Sequence, residues 1–174
     1  MKIAAFDLAE EIKLREIKYM LHDGLWSKYD LSPIDLDFKG WTSIKYLNDT
    51  GTAFSSEIGK LPANKGGLYL FYLKCPVITG VTEFPFYIGR AQLTDVQNLR
   101  KRCREYFTKF AREDERPKIT RMIKYWGKDL YLAFKTIDDN PNIIDYEKKL
   151  INSLLLPMND EIPDKEIKQA VKAF

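Results

Sequence analysis

The chain has 174 residues, 45% of them hydrophobic and 13% aromatic, enough for one domain with a real core and a short extension. The net charge of +3 announces no nucleic-acid partner, and two unpatterned cysteines, Cys75 and Cys103, exclude a disulfide framework or a zinc site. The first residues lack the apolar region of a secretory signal and no apolar run reaches the length of a membrane span, so the expected location is the cytoplasm.

Residues 1–22 carry Leu8, Ile12, Ile17 and Leu21 at roughly helical spacing and predict a helix. Residues 23–66 are broken by Gly24, Pro33, Gly40, Gly51, Gly59 and Pro62, which predicts short helices and loops. Trp26 and Trp41 imply that this region packs against the rest. Residues 1–65 therefore read as a mostly helical extension, available for contact with substrate, a protein partner or a second copy of the chain.

From Gly67 the texture changes. Gly67 to Leu73 is a continuous apolar and aromatic run, the mark of a strand covered on both faces. Phe84 to Gly89 predicts a second strand, with Pro85 placing it at an edge because proline has no ladder donor. Thr94 or Asp95 can cap a helix over about 95–111, whose stripe is Val96, Leu99, Cys103, Phe107 and Phe110. Arg102 and Tyr106 lie four apart and share one side of it. Pro117 opens a short helix ending near Gly127, and Leu130 to Phe134 predicts a third strand. A helix from Pro141 to about Leu156, stopped by Pro157, and a charged helix over about 163–172 complete the chain. The pattern predicts an α/β (α+β) fold: a small three-stranded antiparallel sheet sandwiched by helices over 66–160, with a helical tail at 161–174.

Gly67-Leu68-Tyr69, then Tyr87-Ile88-Gly89, then Arg102, Tyr106, Glu147 and Asn159 follow one another in an order that resembles the GIY-YIG nuclease superfamily. The ordered set on matching elements carries the resemblance, which covers about residues 66–160. It implies cleavage of a phosphodiester, DNA before RNA, with one divalent ion, Mg2+ or Mn2+. Glu147 would hold the ion, since a lone carboxylate suits a cation that keeps most of its waters. Arg102 would grip the scissile phosphate with its planar fork of donors. Tyr69 would act as general base or orient the attacking water, its phenol pKa lowered from about 10 by a nearby cation, Arg90. Tyr87 and Tyr106 would hold water and phosphate. Gly67, Gly89 and Asn159 would be structural, Asn159 tying the turn after Pro157 to the sheet. Relatives often carry lysine at the position of Arg90, the loop from Tyr69 to Tyr87 is longer here than in many of them, and the region before residue 66 has no counterpart.

Residues 100–124 are locally basic, with Arg100, Arg104, Lys109 and Arg121 as candidate phosphate contacts along one wall of a groove. His22 is the only histidine, which disfavours nuclease classes and triads built on that residue. The alternative from a different class is a catalytically silent module of the same fold that binds nucleic acid or protein.

Overall fold

A computed structural model describes residues 5–173. The helices are α1 (Ala5–Leu14), α2 (Asp23–Trp26), α3 (Leu99–Ala111), α4 (Pro117–Trp126), α5 (Asn140–Leu154) and α6 (Lys165–Lys172); the strands are β1 (Thr42–Lys45), β2 (Gly67–Lys74), β3 (Glu83–Ala91) and β4 (Leu130–Thr136). The strands form one antiparallel sheet in the order β1-β4-β2-β3. The expected three strands are joined by a fourth, β1, from the region read as helices and loops. Only Ile44 is buried in that four-residue strand, too little for a period-two pattern to register.

Side-chain alternation along central strand β2 divides the core. Tyr69, Phe71 and Leu73 enter a layer with Leu99, Cys103 and Tyr106 of α3 and Ile119, Met122 and Ile123 of α4. Leu68 and Leu70 face the opposite layer, built from Ile88, α5 and the segment holding Ile34 and Trp41. Trp41 thus packs as expected, while Trp26 stays half exposed.

The N-terminal helix is shorter than the sequence predicts. Residues 1–4 lie outside the described residues, and α1 ends at Leu14 with no buried residue. Beyond it the chain is non-helical: Ile17 and Tyr19 pack against the main core, and the Tyr19 hydroxyl donates to the Pro85 carbonyl at 2.9 Å. Two alternate residues gain burial here, which the helical pattern would have denied them.

The cap of α3 also differs. Asn98, not Thr94 or Asp95, accepts from the Lys101 amide, while Thr94 closes a turn by accepting from Val96 and Gln97. Val96 therefore precedes the helix and is exposed rather than part of its stripe.

Strand β3 lies at the sheet edge, as Pro85 predicts. Pairing slips between Phe71 and Tyr72, so β3 carries one extra residue, a bulge that leaves Phe86 and Tyr87 both in the α3–α4 layer. The outer edge of β3 is partly closed. Asn159 accepts from the Ile88 amide at 3.1 Å and donates to its carbonyl at 2.8 Å, and the Met158 amide donates to Phe86 O at 3.0 Å.

Candidate active site

Where β3 leaves the sheet, a cleft of about 310 Å3 opens between α3 and α5. Tyr69, Tyr87, Arg90, Arg102 and Glu147 line it, together with Ala91, Gln92, Thr94 and Gln97. Four separate elements supply the five sequence-predicted residues, and the sixth, Tyr106, is hydrogen-bonded to two of them.

The tyrosines form a buried floor. Tyr69 and Tyr106 hydroxyls share a hydrogen bond of 2.6 Å, and Tyr106 donates to the Tyr87 hydroxyl at 3.2 Å. Their rings meet edge-on or tilted at 5.7–6.4 Å between centroids. Gly89 stands directly opposite Tyr69 in the β2–β3 pairing, and a Cβ there would lie 2.6 Å from the Tyr69 hydroxyl oxygen. The glycine is the space into which the tyrosine ring fits. Gly67 is likewise obligatory: a Cβ would strike the Lys135 carbonyl oxygen of β4 at 2.0 Å.

Burial pushes the Tyr69 phenol well above its ordinary pKa; Arg102 opposes that shift but does not overcome it. The expectation that Arg90 lowers this pKa is not met, because the Arg90 guanidinium is bound to Glu147. Burial also raises the Tyr106 phenol. Two phenols that stay protonated can orient a water molecule through hydrogen bonds, but neither offers a ready base.

Arg102 is held in place by two side chains, one of them braced by a third. Nη1 donates to Glu105 Oε2 at 2.8 Å, Gln97 holds the other oxygen of Glu105 at 3.0 Å, and the guanidinium lies over the Tyr106 ring at 5.2 Å. Glu105 and Gln97 escaped the sequence reading, although Arg102 and Glu105 show the three-residue spacing of a helical ion pair. Arg116 was missed as well: its guanidinium lies 5.6 Å from the Tyr87 ring centroid and pairs with Glu115 and Asp160. No local spacing announces that placement.

Glu147 is 12% exposed, and burial raises its pKa against the opposing pull of Arg90 and Arg102. Arg90 engages Oε2; Oε1 receives no hydrogen bond from the described residues. Among the described residues there is no group of three or more His, Cys, Asp or Glu side chains able to hold a metal. A single carboxylate with one oxygen open to a polar cleft fits an Mg2+-like ion completed by water and substrate phosphate.

Of the four basic candidates, three are engaged elsewhere. Arg100 and Arg104 each stand two residues from Arg102, about 200° around the helix. Arg100 donates to the Leu61 and Gly59 carbonyls at 2.7 and 3.0 Å, and Arg104 covers the Phe54 ring at 4.8 Å. Arg121 donates to the Leu14 and Glu16 carbonyls, fastening the N-terminal segment. Lys109, two turns beyond Arg102, is exposed on the Arg102 side of α3. The expected single basic wall is therefore reduced to Lys109.

The chain matches no known protein family, and no curated protein or solved structure is detectably similar to it.

Proposed function

We propose that the protein is a metal-dependent endonuclease of the GIY-YIG type, hydrolysing phosphodiester bonds in nucleic acid, DNA before RNA. The observation that supports this reading is the convergence of Tyr69, Tyr87, Arg90, Arg102 and Glu147, scattered over nearly eighty positions, on one polar cleft. Core aromatics and surface charges have no reason to meet there.

In this mechanism Arg102 binds two oxygens of the scissile phosphate, and its clamp by Glu105 removes the cost of ordering it during the reaction. The hydroxyl chain Tyr69–Tyr106–Tyr87 aligns the attacking water against the phosphorus. Tyr69 donates its hydrogen bond to Tyr106 and Tyr106 donates its own to Tyr87, which leaves the Tyr87 O–H at the end of the chain as the donor that orients the water. Glu147 would hold the ion, and a bound Mg2+ or Mn2+ would polarise the phosphate and stabilise the leaving oxygen. Arg90, paired with Glu147, keeps the carboxylate oriented and its charge balanced before substrate arrives.

The test is incubation with plasmid, single-stranded DNA and single-stranded RNA, each with Mg2+, with Mn2+ and with EDTA. The reading predicts internal cuts in at least one substrate, abolished by EDTA. Tight binding without cleavage of any substrate would favour the silent binding module.

A further inference from the structure

A second cavity lies beyond the outer edge of β3, close to the catalytic cleft. It has a volume of about 230 Å3 and is rimmed by Lys18, Lys118, Lys168 and Lys172. Its wall is aliphatic, including Ile151, Leu156 and Val171. Lysines over an apolar pocket suit a ligand with an anionic group and a flat uncharged body. At this volume, below the usual range for drug-sized ligands, the body is a single small unit.

The two cavities are joined by charged side chains. Tyr87 lines the cleft, and Arg116 covers its ring at 5.6 Å. Arg116 pairs with Asp160 at 3.3 Å, and Asp160 with Lys118 at 3.7 Å; both Asp160 and Lys118 line the second cavity. Lys118 also donates to the Asn159 carbonyl, next to the side chain that closes the β3 edge. The carboxylates on this path are Glu115 and Asp160, both paired with Arg116, and Glu161, paired with Lys168. Five cations stand against these three, so the path stays attractive to phosphate.

We propose that this cavity binds an unpaired nucleotide flanking the scissile bond, its phosphates on Lys18 and Lys172 at the rim and its base against the aliphatic wall, with Arg116 and Lys118 lining the way to the catalytic cleft. The inference rests on the nuclease reading and adds to it a requirement for unpaired flanking sequence. A paired base, stacked on both sides, cannot present its face to such a pocket.

The test uses Lys18→Ala/Lys172→Ala, two substitutions outside the catalytic cleft, and fluorescence anisotropy with a short single-stranded oligodeoxynucleotide in EDTA. Removing two phosphate-neutralising charges should lower the slope of log affinity against log salt by about 1.4. An abasic nucleotide on the flank that reaches the cavity should weaken wild-type binding about tenfold, and scanning the abasic position from either side of the cut locates it. An unchanged slope in the variant overturns the proposal. So does an altered slope with abasic strands bound as tightly as intact ones, because the pocket would then offer charge alone. If the wild type cuts DNA under either result, the nuclease reading survives and only this inference falls. If it neither cuts nor binds nucleic acid, both fall.

Discussion

Glu147 shows what the cleft costs the fold. Burial raises its pKa, so the folded state binds a proton more tightly than the unfolded chain does. Its contribution to stability is therefore greatest below the unfolded value of about 4.3 and is lost as pH rises through the raised folded value. Glu147→Gln imitates the protonated form and removes this loss. Thermal melting should show the variant at least as stable as wild type at neutral pH, with the difference vanishing in acid. A variant markedly less stable at neutral pH would mean that the Arg90 pair outweighs desolvation. Arg100 makes the opposite case. Its two charge-assisted bonds to backbone carbonyls secure the loop before β2, so Arg100→Ala should cost about 1 kcal/mol of stability, discounted for its partial exposure. Nucleic-acid binding by that variant should keep its salt slope; a reduced slope would return Arg100 to the phosphate-contacting set.

The elements decide whether these side chains meet, and here strand–strand register carries the argument. Gly89 lies across from Tyr69, and Gly89→Ala would drive a methyl into a ring that has no accessible surface. Overpacking of this kind costs about 1–3 kcal/mol, and activity should fall further than stability alone explains, because the displaced ring belongs to the cleft floor. Equal activity after correction for the folded fraction would place Tyr69 outside the chemistry. Helix α3, which carries Arg102 and Tyr106, is set in turn by the region before β2: the Tyr46 hydroxyl donates to the Cys103 carbonyl at 2.6 Å and accepts from the Phe107 amide at 3.2 Å. These elements were unequally legible in the sequence. β2, β3 and β4 were readable because they are long and apolar, and Arg102 and Tyr106 because a spacing of four fixes their common face, whereas Glu147 was singled out only by the motif order that resembles the GIY-YIG superfamily. β1 was hidden by its length and α1 was overextended, since Ile17 and Leu21, four apart, imitate one turn of a helical stripe. The roles of Arg100, Arg104 and Arg121 were unreadable, because only the tertiary fold determines which carbonyl or ring a surface arginine meets.

At the scale of the whole molecule, the N-terminal region is integrated with the sheet rather than appended to it. β1 pairs with β4, Tyr19 reaches Pro85 beside the β3 bulge, and Arg121 grips the chain after α1. No helix among the described residues is long and apolar enough to cross a membrane. The sheet edge at β3 brings both layers of the sandwich to one opening, which lets Tyr69 from one face and Glu147 from the other line the same cleft. The most direct measurement of the central claim is the cleavage rate of purified Glu147→Gln and Arg102→Lys beside wild type, in Mg2+, with melting curves taken on the same samples. Glu147→Gln removes the charge that holds the ion, and Arg102→Lys keeps a charge but loses the two-pronged grip on phosphate. Both should melt close to wild type and cut slower by orders of magnitude, the mark of interactions made in the transition state. Variants that melt normally and cut at the wild-type rate would contradict the account.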